Sequence, residues 1–251
     1  MTGESRRRPA SGWCAAVRWC ALVAALASFA ACAKPYDPFR VPRDEVRGRI
    51  QTIALAPIRI DLEVADAQRT RDVIAELVTA RLVAAGFKVI EPTIMDAAWR
   101  RVVVDVGPVY DPITGTADKA RFGLVEDAVY RELGATHHVD AVLQLRVVVV
   151  DVSLAGKTMQ FCGTEGVTYW PWTGGRVDEQ ATLARAACLA ALLYDMERRP
   201  LYAIQRGIES FETYARQSHA ARPRASRLQD AGRLTAAVDG AVGPLAQTRK
   251  P

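Results

Sequence analysis

Between Ile50 and Trp99 the chain alternates twice between a run that suits a strand and a run that suits a helix. Ile50 to Ile60 sets Ile53, Leu55 and Ile58 among small residues, the pattern of a buried strand. From Asp66 to Ala85, Ile74, Leu77, Val78, Arg81 and Leu82 recur at helical spacing, and Gly86 stands where a left-handed cap belongs. Phe87-Lys88-Val89-Ile90 is a second strand, stopped by Pro92. Thr93 with Asp96 three residues later makes a capping-box-like start for a helix through Trp99. Strand, helix, strand, helix at these lengths predicts an α/β domain: an open mixed sheet with helices packed on it.

The later chain adds to that plan. Gly107 to Gly115 is a loop built from turn residues. A third helix is expected from Asp118 to Leu133, with Phe122, Val125, Val129 and Leu133 on one face and Gly134 as its stop. Val139 to Val152 is a long β-rich run. Ala155-Gly156 suits a turn, and Lys157 to Tyr169 is expected to return as its antiparallel partner. The alanines and leucines of Thr182 to Tyr194 favour helix by propensity. Asp195 to Pro200 nonetheless resembles a turn before Leu201-Tyr202-Ala203-Ile204, so two strands are expected. Residues 216–225 are assigned as a linker, and residues 226–246 as a closing helix packed on the domain and ended by Gly243-Pro244.

The amino terminus has the three-part layout of an export signal. Arg6 to Arg8 form a positive region and Cys20 to Ala31 an apolar one. Twelve apolar residues are too few to span a bilayer, which needs about 20. Ser28-Phe29-Ala30-Ala31-Cys32 then resembles the lipobox of bacterial lipoproteins, with Phe29 where that family usually has Leu. The resemblance implies a signal peptide over residues 1–31 and lipidation (palmitate among the acyl chains) of Cys32. The competing possibility is ordinary cleavage with Cys32 as a bystander. Ala33 after the cysteine resembles the enteric pattern for the outer membrane, which implies a lipid-anchored position on its periplasmic face. Residues 32–48, with three prolines and no periodicity, suit a tether, and residues 49–215 the α/β domain.

Composition excludes some classes. Half of the residues are hydrophobic and 24% charged, which rules out disorder throughout. Residues 1–31 account for a net +3 of the chain's +5, leaving +2, too weak a bias to argue for nucleic acid.

Ile53-Ala54-Leu55-Ala56-Pro57, a helix, and Ala85-Gly86-Phe87-Lys88-Val89-Ile90 together resemble envelope lipoproteins of the TolB amino-terminal-like fold. That group includes the curli secretion lipoprotein and the lipoprotein activator of penicillin-binding proteins. The likeness continues through Tyr110-Asp111-Pro112 and Gly134 to Leu143, and spans roughly residues 50–210. It implies binding or assembly with envelope protein partners, an oligomer being compatible with it, and it brings no catalytic motif or cofactor.

The chain carries few of the residue patterns that mark catalysis. His137, His138 and His219 are the only histidines, and neither a His-Glu-x-x-His pattern nor a spaced cysteine pair accompanies them. Gly-x-Ser-x-Gly elbows, phosphate loops and dinucleotide fingerprints do not occur. The most distinctive local feature is Thr168-Tyr169-Trp170-Pro171-Trp172-Thr173-Gly174-Gly175. Trp170 and Trp172 either anchor a partner from a loop tip or pack over the sheet edge. Cys162 and Cys188 are the two cysteines left in the mature domain. They either stay as buried thiols or form a disulfide, which an oxidising compartment permits. If Lys157–Tyr169 and Thr182–Tyr194 were adjacent antiparallel strands, their connection would centre on residue 175 and the two cysteines would face each other. Two functions stand open: a non-catalytic envelope lipoprotein that binds or assembles partners, or an envelope enzyme whose residues converge only in three dimensions.

Overall fold

In the computed structural model, residues 36–62, 64–155, 158–167, 183–215, 218–221 and 223–247 are described. The sheet is built around β1 (Thr52–Leu55), whose four residues are all buried. It lies parallel to β3 (Lys88–Ile90) on one side and to β4 (Ala141–Ala155) on the other. A strand covered on both faces needs a continuous apolar run, and Thr-Ile-Ala-Leu approximates one. After the Ala56–Ile58 interruption, β2 (Arg59–Ile60) continues beside β4, pairing Arg59 with Arg146. β7 (Leu183–Asp195) then runs antiparallel to β4 from Ala141↔Asp195 to Ser153↔Leu183, and β8 (Pro200–Ser210) antiparallel to β7. The order β3-β1-β4-β7-β8 is therefore an open mixed sheet.

The expected strand over Thr182–Tyr194 is present as β7, against the helical propensity of its alanines. Ala187, Leu189, Ala191 and Leu193 join one core cluster, while Ala186 and Cys188 join another on the opposite face. Burial on both faces overrides local preference.

Two helical layers cover the sheet. α2 (Ala67–Ala84) and α5 (Ala231–Gln247) pack on the first face, where Ile74, Val78 and Leu82 meet Ile53, Leu55, Leu143 and Leu193. α2 is capped by the Asp66 carboxylate accepting from the Arg69 N–H at 2.9 Å and ends at Gly86, whose φ is 88°. α3 (Pro92–Val106) and α4 (Lys119–His137) pack on the second face, with Met95, Ala98, Val125 and Val129 against Ala54 and Val142.

Several boundaries differ from the sequence reading. The capping box at Thr93 and Asp96 is absent: Pro92 already occupies the first turn, and Asp96 pairs instead with Arg100 at 2.5 Å. Gly134 does not stop α4, which continues to His137 and turns at His138, in left-handed geometry at φ 53°. α5 begins only at Ala231, where Asp230 accepts from the Arg233 N–H at 3.1 Å, and it runs through Pro244. An interior proline costs about 3 kcal/mol; the extra turn buries Leu245 completely, which offsets a large part of that.

The tether expected over 32–48 is corrected from Pro38 onward. Phe39 packs edge-on against Tyr202, ring centroids 5.0 Å apart, and Arg40 N–H donates to Leu201 O at 2.9 Å. Arg43–Arg49 forms α1, which buries Val46. Phe39, Val46 and Ile50 are large enough to repay ordering of this segment with apolar burial. The linker expected over 216–225 is corrected too: Ser218–Ala221 (β10) pairs antiparallel with Glu212–Ala215 (β9), which satisfies its backbone groups.

Lys157–Tyr169 is likewise not one long partner of β4. Among the described residues of that span, Thr158 and Met159 pair with β4; Thr158–Phe161 (β5) then doubles back on Thr164–Val167 (β6). Among the described residues no helix is long and apolar enough to cross a membrane.

Candidate functional site: an aromatic cleft beside a disulfide-fixed hairpin

Cys32, Trp170 and Trp172 lie outside the described residues. Cys162 and Cys188 are joined in a disulfide with a Cα separation of 6.3 Å, by a route other than the expected one. β7 is flanked by β4 and β8, so Cys188 sits beside Val148 and Gly207, not beside Cys162 in a neighbouring strand. Cys162 instead occupies the turn between β5 and β6, at φ 48°, and the hairpin folds across the second face of the sheet. Gly207 makes that approach possible: a Cβ there would lie 2.5 Å from the Phe161 ring. Its N–H donates to Thr164 Oγ1 at 3.0 Å.

His137 and His138 end α4, while the Asp140 carboxylate accepts from the Gln51 and Thr52 N–H groups, both at 2.8 Å. Asp140 thereby ties the start of β4 to β1. Among the described residues no three His, Cys, Asp or Glu side chains are placed to hold a metal ion.

Between the hairpin and α3/α4, the second face of the sheet remains partly open. Here lies a cleft of about 510 Å³, within the size range of small-molecule sites. Trp99 of α3 and Phe122 of α4 meet in a tilted pair with centroids 5.1 Å apart and form one wall. Leu192 and Tyr194 of β7 and Gln144 of β4 form the floor. Tyr110 stands at the rim, on a loop shaped by its own hydrogen bonds: Asp111 accepts from the Thr114 and Ile113 N–H groups at 2.8 and 2.9 Å. Those donors hold the Asp111 carboxyl below the usual carboxylate range.

Beneath the floor, Tyr130 Oη accepts from Gln144 Nε2 at 3.4 Å. Burial pushes the Tyr130 phenol up to about 12, because the phenolate would lose its hydration there. Glu126 is bound by Arg198 from the β7–β8 turn, which also donates to Asp127 at 3.0 Å. Arg146 is paired with Asp61. The sequence does not show Trp99, Phe122, Gln144 and Tyr194 as one site, because they come from four elements. The available signal was the placement of aromatics at the half-buried margin of each element.

No protein-family model matches the chain, and no curated protein does. Among solved structures, lipoprotein GNA1162 from Neisseria meningitidis is similar at 16% identity and a TM-score of 0.37, covering 78% of this chain and 99% of that one. PelC from Paraburkholderia phytofirmans, crystallised as a dodecamer, gives 14% and 0.33, covering 78% and 88%. The hypothetical protein CT253 from Chlamydia trachomatis gives 9% and 0.36, covering 79% and 97%. At these TM-scores neither a role nor a finer fold assignment carries across.

Proposed function

We propose that this chain is a non-catalytic lipoprotein of the bacterial cell envelope that binds or helps assemble envelope partners. In this reading the leader is removed before Cys32, the cysteine is lipidated, and Ala33 directs the protein to the periplasmic face of the outer membrane. The observation that carries it is the order Arg6–Arg8, apolar Cys20–Ala31 and Ser28-Phe29-Ala30-Ala31-Cys32. The Cys162–Cys188 bond supports it independently, since structural disulfides persist in oxidising compartments and are rare in the bacterial cytoplasm. The non-catalytic part draws support from Asp140, whose carboxylate holds two backbone N–H groups together and does not orient a histidine. The TolB amino-terminal-like assignment belongs to the same proposal, resting on the sequence pattern and a parallel β3-β1-β4 core.

Trp170 and Trp172 are the partner-binding residues in this reading. Replacing both by Ala should reduce in vivo cross-linking to envelope proteins while the melting temperature stays within about 1 °C of wild type. Unchanged cross-linking, or a large loss of stability, would remove the two tryptophans from the interface.

A further inference from the structure

The cleft has aromatic walls and one charge that is not already paired. Of its charged lining residues, Asp96 is paired with Arg100, Arg146 with Asp61, and Glu126 with Arg198. Arg198 serves two acids, but the surplus negative charge lies on exposed Asp127, which does not line the cleft. Arg59 has no ion-pair or hydrogen-bond partner for its guanidinium among the described residues, and it is exposed at the cleft margin. The parallel β2–β4 register places it directly beside Arg146. Residues paired in register project to the same side of a sheet, so the two arginine side chains leave it on one face, and of the two only Arg146 has a carboxylate partner, Asp61, among the described residues.

We propose that this cleft is a binding site for a small ligand with a flat apolar body and a single carboxylate. The body lies against Trp99, Phe122 and Tyr194, and the carboxylate is held by Arg59. The paired Arg146 narrows the choice, since a dianion would have to compete with Asp61 for it. A guanidinium fork matches a carboxylate in two parallel hydrogen bonds, which fixes the ligand's orientation as well as its charge. Aromatic walls favour a planar body, because offset and edge contacts add to the burial of area. The site does not depend on the lipid anchor, so failure of either proposal leaves the other standing.

The test uses the full chain purified in a neutral maltoside detergent and titrated calorimetrically with 2-naphthoate. The cation of similar shape, 2-naphthylmethylammonium, is the comparison. Wild type should bind naphthoate saturably and in preference to the cation. Arg59→Gln should weaken naphthoate on the order of tenfold or more, the effect of losing one charge-assisted contact, and should leave the cation no weaker than in wild type. Because Arg59 is exposed and unpaired, the variant should melt with wild type, and partition into micelles is common to both proteins. Absence of saturable naphthoate binding, equal affinity in Arg59→Gln, or a preference for the cation would each overturn the proposal.

Discussion

Removing the Cys162–Cys188 bond tests how the β5–β6 hairpin is held. The bond closes a loop of 26 residues. In the chain-entropy account, such a cross-link removes about 12 cal/mol/K from the unfolded chain, or about 3.5 kcal/mol at 25 °C. For a domain of roughly 200 residues each kcal/mol moves the midpoint by about 2–4 °C, so the loss should be about 7–14 °C. Cys162→Ser is the cleaner variant, because Cys162 is only half-buried whereas Cys188 is completely buried. A hydroxyl at position 188 would add a desolvation cost unrelated to the cross-link. The assay is thermal unfolding by circular dichroism, oxidised and reduced. Reduced wild type should unfold with Cys162→Ser, well below oxidised wild type. Amide exchange should rise across Thr158–Phe161 and Thr164–Val167 while β7, held between β4 and β8, stays protected. A midpoint shift below about 2 °C, or two free thiols in the unfolded, unreduced mature protein, would refute the reasoning.

Two further outcomes follow from buried polar groups. Tyr130, with its phenol raised to about 12 by burial, binds its proton more tightly folded than unfolded. Its contribution to stability is therefore fully present below about pH 10 and lost as pH rises through about 12; Tyr130→Phe should flatten that alkaline decline in a denaturant titration series, and an unchanged slope would contradict it. Glu209 is completely buried, and its carboxylate accepts from the Leu228 N–H at 2.6 Å with Arg233 3.9 Å away. Glu209→Ala strands that N–H and should destabilise by about 1–3 kcal/mol in urea unfolding, whereas no change would show that the contact contributes nothing net.

The legible part of the fold was the local part. Ile53, Leu55 and the Ile74–Val78–Leu82 row declare a buried strand and an amphipathic helix from their own spacing, and Gly86 marks the turn between elements. Boundaries were lost where distant packing overruled a local stop. Gly134 stays helical and Pro244 sits inside α5, because Leu133 and Leu245 are buried by other elements. The amino-terminal segment read as a tether because its anchor, Tyr202, lies 163 residues from Phe39 in sequence. The sequence leaves the cysteines as either thiols or a disulfide, and the adjacent-strand register that would pair them is not the one present: β7 has β4 and β8 as neighbours, and the hairpin reaches Cys188 across a face. Nothing local could show that, since a turn at Cys162-Gly163 and a strand end at Tyr169 are equally compatible with the residues. The cleft was illegible for the same reason. Its charge balance depends on which of Arg59 and Arg146 captures Asp61, a matter settled only in three dimensions.

Metabolic labelling tests the lipid on Cys32 most directly. Cells expressing the full chain are fed an alkyne analogue of palmitate, and the protein is then isolated and conjugated to a fluorophore. Wild type should carry the label and sediment with membranes; Cys32→Ala should carry none and appear in the soluble envelope fraction. Equal labelling of the two proteins, or an unlabelled wild type with its leader still attached, would contradict the account.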